Sequence, residues 1–167
     1  MSVKGGKGEQ LKMFDTAKNL VGDLLTGRLA SHETDLYSGE DGPLTPKQEA
    51  SANLSMMRDK LRESKEPFEE GGHGSGVYDS IELNGFKGHV TLDQSRDKPA
   101  LWEGHHRLAA AGSMDGDQWV GLNHVVPQGG GAARKIDDDY ATMYPQNVGD
   151  LEWARATDSK KIATRFL

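Results

Sequence analysis

The stretch Leu101-Trp102-Glu103-Gly104-His105-His106-Arg107-Leu108-Ala109-Ala110-Ala111 limits the fold more than any other part of the chain. Leu101 and Trp102 favour a strand. Gly104 permits a tight turn and a close approach of backbone, and Leu108 to Ala111 are strong helix formers. A strand that turns at a glycine directly into a helix belongs to a mixed α/β fold. The first N–H groups of such a helix have no intrahelical partner and point outward as anion donors. Glu103 to Arg107 also hold one acid, two imidazoles and one guanidinium, more polar chemistry than a turn requires.

Around this centre the hydrophobic pattern predicts a series of short elements. Leu11, Phe14, Ala17, Val21, Leu24 and Leu25 recur at helical spacing, so residues 9–29 are expected as one amphipathic helix, packed on the domain or docked on a partner or a second copy. Ser31 to Pro43 is a polar connection with a turn at Asp41-Gly42-Pro43. Thr45-Pro46-Lys47-Gln48 starts a second helix, with Thr45 as cap, Pro46 at the first helical position and Gln48 closing a capping box. Leu54, Met57 and Leu61 form its apolar stripe; Lys60, Arg62 and Lys65 are expected in solvent. Residues 70–76 carry four glycines and read as a hinge or lid. Their backbone N–H groups could approach a phosphate, without the Lys-Ser/Thr ending of a P-loop.

Val77 to Asn84 reads as a short helix, capped by Ser75 and stopped by Gly85. His89–Leu92 and Ala100–Glu103 read as strands, with Val90 and Leu92 on one face. Trp119–Val126 is a further strand after the Leu101–Ala111 turn and its helix. Pro127 to Ala133 reads as a glycine-rich linker, and residues 149–157 as a last helix with Leu151 and Trp153 as its apolar contacts. The strands are expected in a small mixed sheet with covering helices.

Composition narrows the function classes. A chain of 167 residues is one domain, long enough to bury a core. With 35% hydrophobic residues and 21 glycines, its flanks are expected to be polar and loop-rich. The net charge of −6 argues against broad coating of DNA, which needs a basic face, and leaves room for a local basic pocket. No cysteine is present, which excludes disulfides, cysteine-ligated zinc and a cysteine nucleophile. No apolar run approaches the roughly 20 residues that span a bilayer, and the glycine- and lysine-rich N-terminus lacks a signal-peptide core. The protein is expected to be soluble and intracellular, with a short flexible leader.

The turn offers several chemical roles. Arg107 supplies a planar fork suited to phosphate, or forms a structural ion pair with Glu103 or another acid. His105 and His106 sit at the positive end of a helix, which disfavours their protonation and leaves a neutral imidazole able to accept a proton. Glu103 suits a general base, a divalent-ion contact or an orienting partner for Arg107 or His106. A metal site drawing on His105 or His106 with His89, His124 or Asp93 has no recognised spacing behind it.

Residues Glu103 to Ala111 resemble the G-x-x-R-x-x-A-A signature of the ParB/sulfiredoxin fold, in the GHHRLAAA form seen in ParB-like nuclease-domain proteins, many from phages and mobile elements. Tyr78-Asp79-Ser80-Ile81 to Gly85 followed by His89-Val90-Thr91-Leu92 is similar to the family's upstream block, and Trp119–Val126 to the strand after the signature helix. The resemblance spans residues 76–126. It implies three parts: a leader and amphipathic helix over 1–30, a ParB-like domain over 31–126, and a linker and extension over 127–167. It also implies phosphate contacts from Gly104, His105, His106 and Arg107, with Ser80 and the strand from His89 lining the same pocket. In partition ParB proteins the bound group is CTP. Here the resemblance implies CTP or another nucleoside triphosphate, or a nucleic acid, with Glu103, His106 and Arg107 as catalytic candidates and Mg²⁺ as cofactor for phosphoester hydrolysis. Two family features are missing: the asparagine- and arginine-rich nucleotide motif, and space for a helix-turn-helix domain after residue 126. His105 stands where sulfiredoxins carry their cysteine, which removes sulfinic-acid reductase activity. The competing expectation is a non-enzymatic phage accessory or virion protein that reuses the fold, located in the host cytoplasm or the virion. A third is a regulator that reaches DNA through a partner.

Overall fold

The computed structural model describes residues 11–34, 44–68, 72–114, 116–129, 132–135 and 141–142. In chain order these form strands β1 (Leu11–Lys12) and β2 (Phe14–Thr16), helix α1 (Ala17–Leu25), strand β3 (Ala30–Ser31) and helices α2 (Pro46–Ser64) and α3 (Val77–Asn84). Then come strands β4 (His89–Asp93) and β5 (Ala100–Glu103), helix α4 (His105–Ser113), and strands β6 (Trp119–Gly129), β7 (Ala132–Lys135) and β8 (Ala141–Thr142). The fold is mixed α/β, as expected.

The main sheet runs in the order β2-β6-β4-β5-β3, with β7 turned back on the far end of β6. The pairs β4–β6 and β3–β5 are parallel; β2–β6, β4–β5 and β6–β7 are antiparallel. β1 and β8 form a separate parallel pair. Val90, Leu101 and Val120 point into one core with Leu24, Met57 and Leu108, all fully enclosed. Each such side chain contributes about 1.5–3 kcal/mol of burial. α4 lies at the centre and packs on α1, α2 and α3. Its Ala109, Ala110 and Ala111 are completely buried, because only small side chains leave room for three helices around one.

Several expected elements are revised. The single helix over 9–29 is instead two short strands followed by α1, which starts at Thr16 with that side chain accepting from the Asn19 N–H at 3.2 Å. Leu11 and Phe14 matched the helical period by coincidence, since strands of two and three residues are too short to show alternation. α1 buries Asn19 and Asp23 as well as Leu20, Val21 and Leu24, so the face offered to a partner in the sequence reading lies inside the domain. Residues 11–31 therefore build the sheet and core rather than precede them.

The capping box of α2 forms as expected. Its inward face is Asn53, Met56, Met57 and Ser64, with Leu61 half-buried at the edge of the core. Asn53 Nδ2 donates to the Leu24 and Leu29 carbonyls at 2.9 and 3.2 Å, tying α2 to the end of α1. Lys60 is an ion-pair partner rather than a solvated residue. α3 has the expected bounds, but its cap is Gly76 in the left-handed region (φ 80°) and Ser75 bonds the Gly72 carbonyl instead. The described residues of the expected linker over 127–133 are strand: β6 runs to Gly129 and pairs with β7 from Ala132, with Val126 opposite Arg134. The expected helix over 149–157 lies outside the described residues. Among the described residues, no helix is long and apolar enough to cross a membrane.

Candidate functional site

A cleft of about 490 Å³ opens beyond the carboxyl ends of β3 and β5, the end of parallel strands where α/β sheets place their ligands. It is lined by Gly104 to Arg107, by Trp102, Glu103 and Glu33, and by His73, Gly74 and Val77. Four of the five phosphate-contact candidates from the sequence converge here; the fifth, Ser80, is exposed on α3 and outside the cleft.

Gly104 makes the turn. Its φ is 106°, and a Cβ there would stand 2.5 Å from Val90 Cγ1, so both the backbone conformation and the packing on β4 require glycine. No side chain caps α4, and its first N–H groups have no partner within the helix.

His105 is buried, with Nε2 2.7 Å from Ser31 Oγ. Ser31 Oγ already accepts the Glu33 N–H at 3.0 Å. Its own hydroxyl therefore donates best to Nε2, an assignment from the network that leaves the imidazole proton on Nδ1. Burial pulls the His105 pKa from 6.5 down to about 4; the Glu33 charge opposes this and Lys60 reinforces it. His105 is thus neutral at physiological pH, as the helix-end argument anticipated, with desolvation as the leading cause.

His106 points to α2. Its Nε2 lies 2.9 Å from Glu63 Oε1, and the ring of His73 meets it edge-on at 5.1 Å. A Cβ on Gly74 would fall 2.2 Å from the His106 ring, so the glycine loop closes over this imidazole. Burial lowers the His106 pKa more than the Glu63 bond raises it. Lys60 Nζ sits 2.8 Å from Glu33 Oε1 and holds that carboxyl below its ordinary range, against the opposing effect of burial.

Arg107 Nη1 and Nη2 donate to the carbonyls of Lys87 and His89 at 2.9 and 2.8 Å, and its guanidinium lies over the Phe86 ring. Two of its five donors thereby pin the chain leading into β4, and the ion pair with Glu103 does not form. Glu103 is exposed, with no side-chain partner among the described residues. Trp102 stacks on His32 at 5.3 Å between ring centroids. His32 Nε2 is 2.8 Å from Asp93 Oδ2. Burial alone would raise the Asp93 carboxyl, but bonds from Ser95 and His32 outweigh it and hold it low.

The remaining metal candidates are dispersed. His124 Nδ1 faces Gln94 Nε2 at 2.9 Å and its Nε2 bonds the Lys12 carbonyl, while the His89 side chain is exposed beside Gly121. Among the described residues, no group of three or more His, Asp or Glu is placed to hold a metal. A larger hollow of about 620 Å³ runs along α2 from Thr45 to Ser55, with no acid or imidazole among the described residues that line it.

Ser31, Glu33, Lys60, Glu63 and Trp102 were absent from the sequence-based candidates. The only signal for the first two was a polar Ser31-His32-Glu33 triplet directly after the apolar pair Leu29-Ala30, the pattern of a strand ending at a site. Comparison with known proteins finds no matching family model, curated protein or solved structure.

Proposed function

We propose that the cleft binds the phosphate of a nucleotide or nucleic acid at the Gly104–Arg107 turn, as a ParB-like phosphate-binding domain. The observation that carries this reading is an uncapped helix start, entered through a left-handed glycine, that lines a cleft together with Arg107 and a neutral His105. Backbone N–H groups there face incoming negative charge, and the three remaining Arg107 donors add a fixed positive one. Glu33 and Glu103 on the same rim suit a Mg²⁺ ion that arrives with the phosphates, since such ions take one or two protein carboxylates. If the bound phosphoester is hydrolysed, Glu103 is the exposed carboxylate at hand to accept a proton from water, and His106, oriented by Glu63, is the alternative. CTP and the other nucleoside triphosphates are the ligands to try first.

The test is a thermal-shift panel of nucleoside mono-, di- and triphosphates with and without Mg²⁺, on the wild type and Arg107→Ala. Ligand at about 100 times its dissociation constant adds about 2.7 kcal/mol, a shift of roughly 5–10 °C for a chain of this size. A shift lost in Arg107→Ala supports the reading. A flat panel, with Arg107→Ala merely less stable, favours the second reading: a non-enzymatic interaction protein of phage type. The engagement of both Arg107 terminal nitrogens by backbone carbonyls is the specific observation on that side.

A further inference from the structure

We propose that residues 72–76 form a lid on the cleft, closed only over an uncharged His106 and released when that imidazole takes up a proton. The inference holds whatever the cleft binds.

Three observations carry it. The first is the seat. Gly74 stands so close to His106 that a Cβ there would fall 2.2 Å from Cδ2 and 2.5 Å from Nε2 of that ring. Only glycine reaches this position, and no water fits between the two. His73 meets the same ring edge-on at 5.1 Å. His73, Gly74 and His106 all line the cleft, so this contact is part of its wall.

The second is the hinge. Ser75 donates its N–H and its hydroxyl to the Gly72 carbonyl, at 3.2 and 2.9 Å. The Val77 N–H donates to the Gly74 carbonyl, and the Gly76 N–H to the Glu66 carbonyl at 2.8 Å at the base of the loop. Gly74 (φ 90°) and Gly76 (φ 80°) are both left-handed. Among the described residues, no hydrogen bond joins residues 72–75 to α2 or α4. The turn is bonded to itself and to its base, and packing on His106 holds its tip down. Swinging it out about Gly76 breaks that packing and no backbone ladder, the property that lids share.

The third is charge. From α2, Glu63 Oε1 lies 2.9 Å from His106 Nε2 and Lys60 is within electrostatic reach; from the loop comes His73. Glu33, after β3, and His105, on α4, act on it at longer range, and Glu103 and Arg107 line the same cleft. Burial is the largest influence and disfavours the cation; Glu63 favours it, and Lys60 and His73 oppose it. The lid supplies His73 and part of the burial. Without it His106 stands beside Glu63 and open to water, which holds a proton more tightly than the closed arrangement. The state with the greater proton affinity gains as the pH falls. Closure is therefore favoured above the ordinary histidine value of 6.5 and lost progressively below it.

The chain has no cysteine, so the whole protein can be labelled at chosen sites. Spin labels on Gly72→Cys, where a Cβ meets nothing within 4 Å, and on Ser55→Cys, exposed on α2, report the distance from lid to helix. The measurement is double electron–electron resonance between pH 7.5 and 5, with circular dichroism at each pH. One distance population should dominate at pH 7.5. A second should grow against it by up to about tenfold per pH unit below about 6.5, and His106→Gln should abolish that growth. NMR titration of the ring resonances should show His106 taking up its proton at higher pH in Gly74→Ala, whose methyl props the lid off the ring, than in the wild type. His73→Ala should act in the same direction by less, and decides alone should Gly74→Ala fail to fold. A distance distribution that ignores pH, or changes only together with the dichroism signal, overturns the lid. A change that persists in His106→Gln, or an identical His106 titration in the wild type and the lid variants, overturns the coupling to His106.

Discussion

α2 and α4 begin in opposite ways. At the start of α2, Thr45 Oγ1 accepts the Gln48 N–H at 3.2 Å, Gln48 Oε1 accepts the Thr45 N–H at 2.9 Å, and Pro46 has no N–H to place. The chain closes that end by itself, on an exposed surface. α4 starts from Gly104 with no side-chain cap, under a cleft and beside two buried imidazoles. α3 also starts from an uncapped left-handed glycine, and its first residue, Val77, lines the same cleft. The contrast separates two uses of one element: a helix start completed within the chain adds stability, and one left open among convergent charged and neutral donors is available to a ligand.

The contrast can be broken at either end. The largest effect should come from Gly104→Ala. A left-handed non-glycine residue costs about 1–2 kcal/mol, and forcing a methyl against Val90 costs about 1–3 kcal/mol more. Urea denaturation should show a loss of about 2–5 kcal/mol; a neutral result would mean that β4 yields and that the turn is not fixed by glycine.

Next is the pH dependence of the α4 end. The unfolded chain protonates His105 below about 6.5, whereas the folded protein resists until about 4. Its contribution is complete above pH 6.5 and is lost as the pH falls toward 4, of order 3 kcal/mol in all. The lowered His106 pKa acts in the same direction. Stability curves from pH 7.5 to 4.5 should slope accordingly, and His105→Gln should flatten them. An unchanged slope in that variant would assign the effect to other groups.

The smallest effect belongs to α2. Thr45→Ala should cost about 1 kcal/mol, the same at pH 7 and pH 5 because neither capping side chain, Thr45 nor Gln48, titrates, and should leave ligand binding untouched. A change in binding would mean that the two helix starts are coupled.

What was legible in the sequence was local. The capping box of α2 requires only Thr45, Pro46 and Gln48 in order, and the β5–α4 turn requires only a glycine between strand and helix formers; both lie where expected. The bounds of α3 and β5 follow from flanking glycines and alternation over a few residues. The rest depends on distance along the chain. Ser31 meets His105 and Glu63 meets His106 only because the sheet order and the packing of α2 on α4 bring them together. Short strands misled for a simpler reason: Phe14–Thr16 is too brief to display a period of two, and its Phe14 completes a helical stripe with Ala17 and Val21. The role of Arg107 was half legible. Its charge is plain in the sequence, but the two carbonyls that orient it belong to Lys87 and His89 and emerge only from the fold.

The order of the sheet also sets a timetable for synthesis. Both outer strands, β2 and β3, come from the first 31 residues, while the central three come from His89 onward. β2 cannot find its neighbour until β6 is made, about 100 residues later, which at about 5–20 residues per second is a wait of about 5–20 s. Through that interval Leu20, Val21 and Leu24 have no sheet to cover. The nascent chain is then a natural client for chaperones, and the parallel β3–β5 and β4–β6 pairings close the fold late.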